Sequence, residues 1–282
     1  MSNNLYWPIF QNLEREVIIL SDQIHFDDNQ LEVYSIKISE LLIRTVVEVE
    51  SISKELYLLN GGTKPNDNNL FFDSDCLDFL ESKWILSKKK VLISASNFYF
   101  EGEENQILSP LHKAFKRGSS SADWLKAYQA IKHNRAQNLK KGNIKHLIKA
   151  LAGLYILNLY YKDILYNLGK DNSGTNFNTS IGSNIFSVKI HSNLDLSTET
   201  GISKKPDFEE CIYIIKPTDQ TQKLSLNIMK VFNEKLQKRH QEHSATGLIP
   251  ELVKEVSREN GDLVQKSFDV LRYEATLNKQ QY

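Results

Sequence analysis

The chain has 282 residues, 40% hydrophobic and 25% charged, with 35 basic and 35 acidic side chains that cancel to a net charge of zero. This is an ordinary composition for a globular protein, with length enough for one large domain or two small ones. It excludes any whole-chain electrostatic argument for nucleic acid or membrane, so charge has to be read locally. Two widely separated cysteines, Cys76 and Cys211, predict free buried thiols in a reducing cytoplasm, not a disulfide. Met1-Ser2-Asn3-Asn4 has neither a basic flank nor an apolar run, so no signal peptide is expected. The longest apolar run, Leu151 to Tyr161, is interrupted by Asn158 and too short to span a bilayer. The expectation is a cytoplasmic protein without a membrane partner.

Residues 5–24 read as a first helix, with Pro8 tolerated near its start. Asp27, Asp28 and Asn29 form a turn and N-cap for a long helix over 29–59, in which Ile38, Leu42, Thr45, Val49, Ile52 and Leu56 make one apolar stripe. Glu48 falls at the edge of that stripe and Glu50 is expected to face water. Gly61, Gly62 and Pro65 end the helix. A shorter helix lies near 75–87. Val91 to Ser94, Phe98 to Phe100 and Ile107-Leu108 then predict a small β insertion over 91–109.

A helix is predicted over 122–139, with Trp124, Leu125, Tyr128, Ile131 and Leu139 on its apolar face and Arg135 in the middle of that face. A helix over 144–168, apolar nearly all round, should be the central buried member, and Ala150, Ala152 and Gly153 should let a neighbour approach closely. The Gly/Asn/Ser-rich stretch 169–183 is a loop and the best candidate seam. Residues 185–191 and 211–215 read as strands, expected to pair with each other and with the earlier hairpin in one minor sheet. Helices are predicted over 222–243, 248–259 and 262–279. The resulting fold class is mainly α: a helical bundle over 1–168 with a small β insertion, then a mixed α/β C-terminal appendage over 169–282.

Charge is unevenly spread. Ten Lys/Arg residues and one acid, Asp123, lie between His112 and Lys149, whereas acids gather at Asp73, Asp75, Asp78 and Glu81 and again at Glu101, Glu103 and Glu104. A basic run with Trp124 and Tyr128 inside it suits a surface that tracks phosphates; balanced by the acidic segments, it is a solvated face. Within it, Lys132-His133-Asn134-Arg135 offers an imidazole that titrates near neutral pH among cations. RNA cleavage by internal attack needs a base for the 2′-hydroxyl and cations for the developing charge, without a metal. Alternatively Lys132 and His133 are solvated and Arg135 is a buried strut paired with a carboxylate, Glu48 being nearest. His133 and Arg135 stand roughly 200° apart on one helix and cannot meet on one phosphate within one chain. His240 and His243 have i, i+3 spacing but no full ligand set. No glycine-rich phosphate loop, G-x-S-x-G elbow or zinc cysteine pair is present, and no metal or cofactor is predicted.

The pattern W-x-x-x-Y-x-x-x-K-H-x-R, here Trp124, Tyr128, Lys132, His133 and Arg135, followed by an apolar helix, resembles the HEPN superfamily (higher eukaryotes and prokaryotes nucleotide-binding), over roughly residues 5–168. The resemblance implies a homodimeric, metal-independent ribonuclease of the kind found in toxin–antitoxin and antiviral defence systems, with an Arg-x(4–6)-His motif at the dimer cleft. His133 matches the histidine. In the window for the arginine, Lys126 is the sole cation, and lysine lacks the planar fork of arginine. On this reading His133 and Lys126 are the catalytic candidates, while Lys132, Asn134, Arg135, Lys140 and Lys141 hold RNA phosphates. The other reading is a non-catalytic interaction module that docks a protein partner.

Overall fold

The computed structural model describes residues 5–65, 69–242, 258 and 270–280. Helix α1 (Tyr6–Ser21) leads to a two-residue strand, β1 (Phe26–Asp27). The Asp27 carboxylate then accepts from the amides of Asn29 and Gln30 and caps a short 3-10 turn. The long helix α2 (Ile36–Leu59) starts later than its pattern predicts, at Ser35, whose hydroxyl accepts from the Ile38 amide. All six stripe residues of α2 are buried. A wide turn over Phe72–Leu77 leads into α3 (Asp78–Trp84). The β insertion follows as β2 (Val91–Ile93), β3 (Phe98–Tyr99), the one-turn α4 (Glu103–Gln106) and β4 (Ile107–Leu108).

The next helical stretch departs from expectation. It is α5 (Asp123–His133), a break at Asn134, then a single turn, α6 (Arg135–Asn138). Asn134 has φ −150° and ψ 82°, and its side chain accepts from the Gln137 amide. A residue whose side chain competes for nearby amides favours a cap over continued helix, and here the cap prevails. The break turns Arg135 out of the buried stripe of α5, so Arg135 is exposed and makes no ion pair with Glu48. It is not a core strut.

Helix α7 (Ile144–Lys162) is buried on nearly every side and packs most extensively against α2, with α1 and α5 beside it. Gly153 admits its neighbours: a Cβ there would come within 3.3 Å of Leu111 and 3.8 Å of Trp124. The helix stops six residues earlier than predicted, at Asp163 with φ +46°. The chain continues as β5 (Tyr166–Gly169), then β6 (Phe186–Val188), β7 (Ile190–His191), β8 (Tyr213–Pro217), α8 (Asp219–Glu242) and β9 (Tyr273–Leu277). The helix expected over 262–279 is therefore corrected at 273–277, where Tyr273, Ala275 and Leu277 are buried and alternate with Glu274 and Thr276. The helix expected over 248–259 lies outside the described residues, apart from Arg258.

Among the described residues there are three small sheets, not one. β1 pairs β3 in parallel, β4-β2-β6 is antiparallel, and the third sheet has the order β5-β9-β8-β7. The predicted strand 185–191 divides at Lys189: its first half joins the insertion at Val91↔Val188, and its second half pairs in parallel with β8 at His191↔Ile214. One apolar core runs through α1, α2, α5 and α7 and on into β6, β8 and β9, crossing residues 168–169 without interruption. Buried Glu14 reinforces that continuity. Its carboxylate accepts from the Ser183 hydroxyl and from the amides of Asn184 (3.0 Å) and Ile185 (3.2 Å). About half of the described residues are helical. Among them no helix is long and apolar enough to cross a membrane, and Cys76 and Cys211 are free and buried.

Candidate nucleic-acid interface

Helix α5 is the element that positions the basic side chains. Its buried face is fixed by Trp124, whose indole N–H donates to Pro110 O at 2.8 Å, and by Leu125, Tyr128 and Ile131. Its first turn is tied to α7 by Asp123, which accepts from Lys149 Nζ at 2.6 Å. Burial alone would raise the Asp123 carboxyl, but the Lys149 ammonium outweighs it and holds Asp123 below its ordinary value. On α7 itself, burial pushes the His146 imidazole down, so the ring favours its neutral form.

At this junction a pocket of about 250 Å³ is lined by His112, Lys113, Ser121, Asp123, Lys126 and Lys149. Lys149 is balanced by Asp123, but Lys113 and Lys126 form no ion pair among the described residues. Both residues line this concavity, and Lys126 Nζ also reaches Ser119 O at 3.5 Å on the side of the neighbouring pocket. Lys113 also has φ +61°, a left-handed conformation that costs a side-chain-bearing residue roughly 1–2 kcal/mol. Such local strain gathers where geometry serves a site. Lys126 stands on the rim shared with a neighbouring pocket of about 300 Å³, bounded by Phe72, Asp73, Ser119 and Gln129. There Arg117 pairs with Asp73 at 3.3 Å and lies 4.0 Å over the Phe71 ring.

A third concavity, an open groove of about 490 Å³, runs between α2 and α5. Its lining is Ile43, Val47, Glu50, Tyr128, Ile131, Lys132 and Arg135. Glu50 is half-buried here, not water-facing as its place on α2 predicted. Burial pushes the Tyr128 phenol up, and the Tyr128 hydroxyl in turn holds the Lys132 ammonium above its ordinary value.

The predicted site residues are therefore divided. Lys126 belongs to the basic pocket, while Lys132 and Arg135 belong to the groove. His133 is the last residue of α5, exposed, and lines none of the three concavities. It shares a face of α5 with Lys126, two turns and about 10 Å away. Asn134 is spent on capping α6, and Lys140 and Lys141 are exposed on the 3-10 turn that follows. His146 Nδ1 lies 2.7 Å from Lys141 O. Of the His240/His243 pair, His243 lies outside the described residues.

No family model, no curated protein and no solved structure matches this chain. The site must be read from its own chemistry. The basic run was legible in the sequence but not its focus: His112 and Lys149 are 37 positions apart and meet with Lys113 only because the 109–121 loop folds over the junction of α5 and α7. The single available signal was the imbalance of ten cations over one acid. Glu50 gave no signal, since it looked like a surface acid.

Proposed function

We propose that this protein binds RNA through its phosphate backbone, with the pocket at the start of α5 as the primary phosphate site and the exposed cations of α5 and the turn after it extending the track. The observation that carries this reading is the convergence of Lys113 and Lys126, neither neutralised by an acid, on one strained loop-and-helix concavity. An ammonium pair of this kind suits a phosphodiester, releases counterions on binding and needs no base contact. The resemblance of Trp124, Tyr128, Lys132, His133 and Arg135 to the HEPN pattern supports the same substrate class and a mainly helical, HEPN-like body.

One observation favours a second reading, metal-independent RNA cleavage. His133 and Lys126 project from the same face of α5. His133 would take the 2′-hydroxyl proton and later return a proton to the leaving oxygen, while Lys126 stabilises the charge on the phosphorane. At about 10 Å the two side chains do not act on one phosphate from one helix, so cleavage requires a homodimer that brings the partner's copy of α5 to the site.

Incubation of the protein with a labelled single-stranded RNA, followed by both fluorescence anisotropy and a denaturing gel, separates the readings. Binding that weakens steeply with salt, without cleavage, is the expected result. Cleavage lost in His133→Ala with binding retained supports the enzyme. Absence of binding at low salt rejects both and leaves the α2–α5 groove as a protein-docking surface.

A further inference from the structure

We propose that His191, Asp207 and Cys211 form a binding site for a single divalent transition-metal ion of the zinc class. His191 ends β7, while Asp207 and Cys211 flank the short turn Phe208–Glu210 that delivers the chain into β8. The parallel pairing of β7 and β8 sets the two segments side by side. One ligand atom from each of the three residues lies within 4.8 Å of the other two. Tetrahedral zinc with nitrogen, oxygen and sulfur ligands needs separations of about 3.3–3.8 Å, so a contraction of about 1 Å closes the site.

The ligand set is chemically coherent. His191 Nε2 lies 2.9 Å from Ser203 O, and a carbonyl only accepts, so Nε2 carries a hydrogen and Nδ1 is the ring nitrogen left for a metal. A carbonyl holding the second ring nitrogen is the usual support of a metal-bound histidine. The Phe208 ring meets the imidazole edge-on at 5.0 Å and limits its rotation. On coordination the Cys211 S–H bond breaks, its proton leaves to solvent and a metal–sulfur bond forms. Thiolate and Asp207 carboxylate then neutralise the dication, which suits an interior site. Sulfur and imidazole ligands select the zinc class over calcium or magnesium.

The turn is also built to stay in place. Lys89 Nζ donates to Glu209 O (2.9 Å) and Cys211 O (3.1 Å), and Asn278 Nδ2 donates to Phe208 O (2.7 Å) and Cys211 O (3.1 Å). Both side chains are fully buried, so two costly interior polar groups are devoted to holding this one turn. His191 and Cys211 are buried as well, whereas the Asp207 side chain is 42% exposed and leaves the solvent side open for a water ligand. Lys189 pairs with Asp207 Oδ2 at 3.0 Å but also with Glu210 at 2.7 Å, so it keeps a partner when Asp207 turns to the metal. A nucleophilic role for the thiol does not fit, because Cys211 is fully buried and its burial pushes the pKa up to about 11.

Titration of the reduced full chain with Co²⁺ tests the site, since a cobalt–thiolate bond gives a near-ultraviolet charge-transfer band that surface histidines do not. One equivalent of Co²⁺ should produce that band, release one proton and be displaced by Zn²⁺. Cys211→Ser should abolish the band. Asp207→Asn, at a half-exposed position where folding is easily checked by circular dichroism, should weaken binding roughly tenfold or more. No thiolate band in the wild type, or an affinity unchanged in folded Asp207→Asn, overturns the proposal.

Discussion

Arg135 shows how one backbone dihedral can move a residue from one role to another. Its position in an unbroken helix would bury it; the cap formed by Asn134 turns it to the rim of the α2–α5 groove. Arg135→Ala should accordingly fold with stability within about 0.5 kcal/mol of the wild type in urea unfolding, as surface substitutions do. Glu14 is the opposite case. It lies on the first helix, yet it is buried and its carboxylate satisfies a hydroxyl and two amides of the segment that leads into β6. Glu14→Ala removes the acceptor of the Ser183 hydroxyl and the Asn184 amide, while the Ile185 amide keeps Ser183 Oγ at 3.2 Å, and should cost roughly 2–4 kcal/mol. A loss below about 0.5 kcal/mol in the same urea series would show that water replaces the carboxylate there.

At the level of elements, periodic apolar stripes were readable because burial enforces them: α1, α2 and α7 lie where Phe10, Leu42, Val49 and Leu151 place them. What was not readable depended on contacts distant in the chain. The alternation of Tyr273, Ala275 and Leu277 with Glu274 and Thr276 was in the sequence, but its partners β8 and β5 lie far off in the chain, and β3 pairs with β1 across more than seventy residues. The junction of α5 and α7 carries a pH signature of the same non-local kind. Burial depresses the His146 pKa from its ordinary 6.5, against the opposing pull of Lys141 O, Asp123 and Glu32 and with help from Lys149. The folded state thus binds the imidazole proton less readily than the unfolded chain does. Stability from this group is complete above pH 6.5 and falls as pH drops toward the lower folded value. Asp123, held down by Lys149, adds a further loss below its ordinary 3.8. Urea midpoints should decline on acidification starting just under pH 6.5, and His146→Gln should flatten the upper part of that decline. A wild-type profile level between pH 7 and 5 would contradict the assignment.

Considered whole, the molecule is a helical body and three small sheets sharing one core, with neutral net charge but a concentrated cationic junction. The concentration was visible in the sequence as a count; its focus at Lys113 and Lys126 was not, because loop closure decides which members of a basic run face the same space. His133, the residue a sequence motif ranks first, stands outside all three concavities, so the proposed RNA contact centres on the pocket and not on the imidazole. The salt dependence of RNA affinity tests it most directly. For single strands the slope of log K against log salt changes by about 0.7 for each phosphate contact. Lys113→Ala/Lys126→Ala should therefore flatten the wild-type slope by roughly 1.4 while leaving the urea midpoint unchanged. A double variant that binds RNA with the wild-type slope would contradict the account.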